Sequence, residues 1–461
     1  MWIANLGRMA TPPSRAPDEL ANLAQQLVAA RDAQEVAIDA FFEKTRRARP
    51  PFDHLRDFWT NFADGPRVDG VGPLAERTPR IATRLLGYEL NSPFGVPACA
   101  LTPQARFIKY FAERGFDLIT YKTVRDRAWN PHPFPQWGFA PDETSSMRLS
   151  ELGDGAVQRP IFTTLDPTHV ASVEQSSLVN SFGVPSLPVE QWKADISAAK
   201  AVLRFGQVMI VSVMGSPDAP DTKTMGDLVR QFASTAANAV EAGADVIELN
   251  LSCPNTGSGD LICADPELSA MVTKAVRREI RSSGIPLLIK TSYLPGTGLE
   301  DLVLRCQKDI DGVVAINTVL VPAIGADGRA FFPKRPKAGI SGNAIFEFGL
   351  DAVRRLERLR QESRADSDWV IVAVGGVTSV ARYAAYIDEG ADAVQSCSGA
   401  WLNPGLAAEI RAQFGHAPSS KLSASLPSRD ARPRATSLRR VLLAVLETLA
   451  SGGVNVLRGK Q

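Results

Sequence analysis

Eight short apolar runs pace the middle of this chain, and each is followed sooner or later by a stretch with helical periodicity. They are FGVPACA (94–100), FDLITYKTV (116–124), QVMIVSVMG (207–215), ADVIELNLS (244–252), PLLIKTS (286–292), GVVAINTV (312–319), WVIVAVGGV (369–377) and DAVQSCSG (392–399). Strands that alternate with helices pair in parallel through crossover connections. Eight such units between residues 86 and 415 predict an α/β fold, a closed (β/α)8 TIM barrel, in preference to an open doubly wound sheet. Helical candidates include TPQARFIKYFAERG, DPELSAMVTKAVRREIRSSG and TSVARYAAYIDEG, which open on Thr or Asp and close on Gly as helix caps require. About 80 residues separate the second run from the third, a connection long enough to hold functional loops or small strands.

The barrel is flanked by two extensions. Residues 1–85 contain DELANLAQQLVAARDAQEVAIDAFFEKTRR, whose apolar positions recur at helical spacing. That helix is expected to pack on the main domain or on a partner subunit. Residues 416–461 begin with a Ser- and Pro-rich linker and end in a short amphipathic helix, LRRVLLAVLETLA. Lys and Arg (51) balance Asp and Glu (50), so no net field favours nucleic acid or an anionic membrane. No stretch offers the roughly 18 apolar residues of a transmembrane helix, and the start lacks the apolar core of a secretory signal. The five cysteines form no CxxC pair, which argues against a zinc knuckle or disulfide framework and predicts a reducing cytoplasm.

In a barrel of this kind chemistry sits where the strands end. The runs finish on polar or small residues: Ala98-Cys99, Lys122-Thr123, Asn250 followed by Cys253 and Asn255, Lys290, Asn317-Thr318, Gly375-Gly376, and Ser396-Cys397-Ser398. A single strand-terminal Asn can merely turn the chain. So many together are poorly explained by packing. AVGGVTS and QSCSGAWLNPG place small residues between a strand and a helix, where backbone N–H groups can approach an anion. On the last two barrel strands this predicts a phosphorylated ligand such as flavin mononucleotide (FMN).

Lys122 and Lys290 end interior strands, and lysine is rarely buried without a partner. A cation beside a flavin stabilises the charge that accumulates on reduction. A Schiff-base lysine is the competing reading, but it leaves the carboxamides unexplained. Those carboxamides, Asn180, Asn250, Asn255 and Asn317, both donate and accept, which suits a planar ring alternating C=O and N–H. None of the four histidines falls at a strand end, so neither a histidine base nor a histidine metal site is expected. Cys253 then remains as the proton-transfer group.

These motifs resemble the dihydroorotate dehydrogenase family, FMN enzymes built on a (β/α)8 barrel. The likeness runs from NSPFGVPA, ITYKTV and NPHPFPQ through NSFGVPS and LNLSCPNT to LLIKTS, GVVAINTV, AGISGNA, AVGGVTS and AVQSCSGA, in family order. It implies that the pyrimidine loses a hydride from C6 to the flavin and a proton from C5 to Cys253. It further implies that Lys122, Asn180, Phe182, Gly183, Val184, Asn250, Asn255, Asn317 and Thr318 surround the substrate. The flavin ring would meet Ala98, Cys99, Lys122, Thr123, Asn250, Lys290 and Asn317. Its phosphate end would meet Ser341, Gly342, Gly375, Gly376, Cys397 and Ser398. A cysteine base looks like the soluble class, whose members are commonly dimeric, which implies a homo-oligomer.

The sequence departs from the family in places. GADGRAFFPKRPKAGISG, ADPELSAMV and VQSCSGA also resemble the pyrimidine-reducing barrel domain of dihydropyrimidine dehydrogenases. That pattern has histidine where this chain has Asn255. NSFGVPS carries Phe182 where the soluble class usually has methionine, and Ser186 where it has asparagine. The amino-terminal zone has no counterpart in the soluble enzymes and weakly resembles the quinone-binding helices of the membrane class. The expectation is dihydroorotate oxidation, with a uracil or thymine reductase or a catalytically silent flavin-binding barrel as alternatives. The electron acceptor stays open among fumarate, NAD, quinone and a partner protein, and iron–sulfur relays would need another polypeptide.

Overall fold

The computed structural model describes residues 50–68, 83–141, 147–153, 156–170, 172–252, 261–362 and 369–414, together with Val36, Asp39, Ala40, Phe42 and Glu43. All eight apolar runs become barrel strands. In chain order these are β3 (Phe94–Val96), β4 (Leu118–Arg125), β8 (Val208–Met214), β9 (Val246–Asn250), β10 (Leu287–Thr291), β11 (Gly312–Ala315), β14 (Val370–Val374) and β15 (Ala393–Gln395). They close into one parallel barrel, with β15 pairing β3 across the seam. Nearly every residue of these strands is buried, because one face looks inward and the other is covered by helices.

The two faces build two cores. Leu118, Ile210, Val246, Leu288, Val314 and Val372 fill the barrel interior. A hairpin of β1 (Thr83–Leu85) and β2 (Tyr88–Leu90) adds Leu85 and Leu90 to that cluster. The larger core lies between strands and helices. The predicted helices form as Ala105–Glu113, Pro266–Ile280 and Val380–Asp388. Asp265 caps the second by accepting from the N–H groups of Glu267 and Leu268, and Ser379 caps the third through Arg382. The first begins later than TPQ suggests, at Gln104, with no side-chain cap.

The long connection after β4 is not bare coil. It holds β5 (Trp137–Ala140), β6 (Ile161–Phe162), β7 (Ser177–Asn180) and a helix, Val189–Ala201. After β11 the chain adds β12 (Val319–Ile324) and β13 (Lys337–Gly342). These five strands make a second sheet in the order β5-β7-β13-β12-β6, set at the carboxyl ends of the barrel strands. The sixth run therefore serves two sheets: its first half is barrel and its last residue, Val319, opens the cap.

Of the amino-terminal helix, the described residues are helical, and Phe42 is buried in the main core. Residues 50–68 lie against the cap. Phe52 and Phe58 both pack edge-on to Phe182, and the Trp401 indole donates to the Phe52 carbonyl at 2.7 Å. The linker and the carboxyl-terminal helix of 416–461 lie outside the described residues. No described helix is long and apolar enough to cross a membrane.

His54 sits in this amino-terminal layer, 3% exposed, between the rings of Phe139 and Trp401. Burial pushes its pKa down to about 4, more than offsetting the Leu165 carbonyl at 3.1 Å and the Asp53 charge. The unfolded chain then takes up a proton that the folded chain refuses, so stability is full above pH ~6.5 and lost as pH falls toward 4. We expect this group alone to remove about 3 kcal/mol between pH 7 and pH 4. Denaturant titrations should show that slope in the wild type and a flatter one in His54→Gln; equal slopes would refute the assignment.

Candidate active site

The carboxyl ends of the barrel strands and the underside of the cap sheet enclose a cleft of about 940 Å³, its open mouth included. Its floor begins at an irregularity in β4. Between Tyr121 and Val124 that strand gains one residue relative to β8. Strict alternation would send Lys122 and Thr123 to opposite faces. The bulge turns both into the cleft, a common use of such an insertion.

From there a polar floor spreads across the neighbouring strands. Thr123 Oγ1 lies 2.9 Å from Ser212 Oγ and accepts from Asn250 Nδ2 at 3.1 Å. Asn250 Oδ1 accepts from the Ser252 N–H at 3.3 Å. Asn317 Nδ2 donates to the Ser252 carbonyl at 3.0 Å and to its hydroxyl at 3.2 Å, while Asn317 Oδ1 accepts from the Thr318 N–H at 2.8 Å. The amides are thus held in orientation by their own neighbours, yet each keeps unused hydrogen-bonding capacity. Lys290 pairs in register with Asn250 and lines the same floor.

The cap supplies the facing wall. Asn180, at the end of β7, donates to the Gly339 carbonyl at 3.1 Å. Phe182 and Val184 follow and line the cleft. Their loop is pinned from behind by the buried Arg125 guanidinium, whose Nε donates to the Val184 carbonyl at 3.0 Å and Nη2 to the Gly183 carbonyl at 3.2 Å. Gly183 sits behind the wall, where an added Cβ would approach the His132 ring to 2.6 Å.

At the opposite end small residues converge from three strand ends. Ser341 Oγ and Ser398 Oγ are 3.0 Å apart. Gly342, Gly375 and Gly376 all carry positive φ, at 82°, 134° and 66°. A Cβ on Gly376 would lie 2.8 Å from the Gly342 carbonyl oxygen. Tyr386 fixes this turn by donating to the Gly375 carbonyl at 2.6 Å. Ala98, Cys99 and Cys397 complete the wall where β3 meets β15.

The cleft therefore gathers the sequence-derived candidates, with Gly183 just behind its wall. Cys253 and Asn255 lie outside the described residues. The flanks of their segment are fixed at the cleft: Ser252 is bonded by Asn317, and the Cys263 N–H donates to the Leu251 carbonyl at 2.9 Å. Cys263 and Cys306 are buried and do not line the cleft, and burial pushes both thiols up to about 11.

Sequence reasoning missed several participants. Trp137, Ile316 and Gln395 line the cleft; nothing in their local sequence distinguishes Trp137 and Ile316 from core residues, whereas Gln395, a polar residue ending β15, carried the strand-end signal. Glu248 lies on the interior face of β9, two residues before Asn250, fully buried and with neither carboxylate oxygen hydrogen-bonded among the described residues. A glutamate inside an apolar run was the available signal. Among the described residues no cluster of three or more His, Cys, Asp or Glu could hold a metal ion.

Comparison with known proteins agrees with this architecture. The family model described as dihydroorotate dehydrogenase matches residues 164–417. The chain belongs to the dihydroorotate dehydrogenase family. It is 28% identical over 375 residues to dihydroorotate dehydrogenase of Dictyostelium discoideum, covering 78% of this chain and 96% of that one. It is 25% identical to the catalytic subunit of dihydroorotate dehydrogenase B (NAD(+)) of Thermoplasma volcanium, over 68% of this chain and 85% of the relative. The quinone-type dihydroorotate dehydrogenase of Bordetella avium is likewise 25% identical, over 70% of this chain and 80% of its own. Membership of this dehydrogenase family makes the protein an oxidoreductase.

The small-residue end gives a direct test of its construction. Gly376→Ala puts a side chain at a left-handed position and against the Gly342 carbonyl and Phe346. We expect a loss of about 2–4 kcal/mol in denaturant unfolding, from backbone strain and steric displacement together. A change below about 0.5 kcal/mol, the level of a neutral surface substitution, would mean that this turn is not constrained as described.

Proposed function

We propose that this protein is an FMN-dependent enzyme that oxidises dihydroorotate to orotate in pyrimidine biosynthesis, with Cys253 as the base. The observation that carries the reading is the cleft itself. Two lysines and two orienting carboxamides line one end, and a cradle of glycines and serines lines the other. The segment bearing Cys253 starts from its floor.

The residues present fit FMN. Gly342, Gly375 and Gly376 leave room that any Cβ would fill, as close approach of backbone to a phosphate requires. Among the described residues, two cleft side chains also hold buried polar atoms with no hydrogen-bond partner, Trp137 Nε1 and Gln395 Oε1. Such atoms call for a ligand rich in hydrogen-bonding groups. Ser341, Gly342, Gly375, Gly376, Cys397 and Ser398 would hold the phosphate end. Ala98, Cys99, Lys122, Thr123 and Lys290 would face the ring, where the cations favour a ring that gains negative charge. Bound FMN would supply the hydride acceptor for C6 of the substrate.

The chain's own groups do the rest. Asn180, Asn250, Asn255, Asn317 and Thr318 would hold the pyrimidine by its alternating donors and acceptors, with Phe182 and Val184 closing over its apolar edge. Gly183 would let that loop approach closely. Cys253 would take the C5 proton. A free cysteine has a pKa near 8.5, so a thiol base is mostly protonated at neutral pH and gains activity as pH rises.

Cys253→Ala should keep its FMN but lose reduction by dihydroorotate by about 10³-fold or more near pH 7, the scale expected when a single general base is removed. Stopped-flow bleaching of the flavin absorbance measures this, and a near-wild-type rate in the variant would sink the assignment. In the wild type the same rate should climb toward a plateau above pH ~8.5. Bleaching by dihydrouracil with no response to dihydroorotate would instead favour the pyrimidine reductase. A protein that binds no FMN would favour the silent barrel.

A further inference from the structure

Cys99 and Cys397 have no part in the proposed proton transfer, yet the fold brings them together. Cys99 follows β3 and Cys397 follows β15, the two strands that pair across the barrel seam. The Ser396 N–H donates to the Gly95 carbonyl at 2.9 Å, which fixes the two loops side by side. Both thiols line the cleft, as do Lys122 and Lys290. Each remains partly accessible, unlike the buried Cys263 and Cys306.

The pair is chemically unequal. Burial raises the Cys99 thiol, but the Cys397 thiol, the Leu101 backbone and the Lys290 and Lys122 ammonium groups outweigh it and hold Cys99 below the ordinary cysteine value. Cys397 is raised well above that value by the neighbouring Cys99 thiol and by burial. An accessible thiol in a cationic setting, next to a second thiol that stays protonated, is the usual arrangement of an oxidant-reactive cysteine and its resolving partner.

We propose that Cys99 and Cys397 are a peroxide-reactive dithiol that closes to a disulfide across the barrel seam and obstructs the flavin seat. The obstruction, though not the disulfide, rests on the FMN reading above. In the first step the Cys99 sulfur attacks hydrogen peroxide. An S–O bond forms, the O–O bond breaks, and the departing hydroxide leaves as water with the thiol proton. Cys99 becomes a sulfenic acid. The Cys397 sulfur then attacks it: the S–S bond forms, the S–O bond breaks, and hydroxide leaves as water with the Cys397 proton. Two thiols and one peroxide give one disulfide and two waters. The S–S bond of roughly 2.05 Å draws the two loops together. Ser398, next to Cys397, is bonded to Ser341 in the small-residue cradle, so that movement is passed to the phosphate end.

The test treats purified protein, with and without saturating FMN, with equimolar hydrogen peroxide, followed by thiol blocking and non-reducing peptide mapping. A Cys99–Cys397 linked peptide should dominate without added FMN and fall at least tenfold with it. Linked protein should bind FMN at least tenfold more weakly until dithiothreitol is added. Cys397→Ser should give no link and leave a Cys99 sulfenic acid that dimedone traps, whereas Cys99→Ser should leave Cys397 unoxidised. Oxidation spread evenly over Cys263 and Cys306, or linkage of Cys99 to Cys253, would overturn the dithiol. Unchanged FMN affinity in the linked protein would overturn the obstruction. A reduced protein that takes up no FMN would refute the flavin reading, and the obstruction with it, while the linked peptide would still establish the dithiol.

Discussion

Closing eight parallel strands on themselves leaves no room for an idle polar side chain. Each strand is buried on both faces, so a polar group inside the barrel must find a partner there or emerge at an end. The hairpin of β1 and β2 occupies one end with Leu85 and Leu90. The polar residues therefore collect at the other. Lys122, Asn250, Lys290 and Asn317 come from widely separated sequence, yet closure of the barrel sets them around one floor.

The cap turns that floor into a cleft. Its five strands come from two distant insertions that meet where β13 pairs with both β7 and β12. Asn180 is placed by this sheet, opposite Gly339 on β13. Behind it, Arg125 continues the bulged strand and reaches under the loop that carries Phe182 and Val184. Hydrogen bonds from a charged donor to backbone carbonyls are worth about 1.5–3 kcal/mol each. One barrel strand thus supplies two cleft residues from its bulge and the clamp that holds the opposite wall.

Much of this was legible because periodicity and strand ends carry it. Seven of the eight strands fall inside the apolar runs, β4 overruns its own by Arg125, and most polar candidates lie at the strand ends. What the sequence hid depends on contacts between distant segments. That both Lys122 and Thr123 face the cleft follows from a one-residue bulge against β8, and alternation along ITYKTV predicts the opposite. Trp137 is indistinguishable from core until β5 is paired with β7, and its stacking on Trp401 at 4.6 Å crosses more than half the chain. The dual use of GVVAINTV, as barrel strand and then cap strand, looked like a single run because both sheets bury their residues.

The interior charge of the barrel follows from the same closure. Glu248 is deep inside β9, opposite Ser212 and Leu288 in register, and its carboxylate has no hydrogen bond among the described residues. Lys290 lies one step further along β10, on the same inward face, between this carboxylate and the cleft. Lys290 thus brings an ammonium group to the cleft from the strand beside Glu248. A ligand that gains negative charge would meet that ammonium group at the point where the strands run out and the cleft begins.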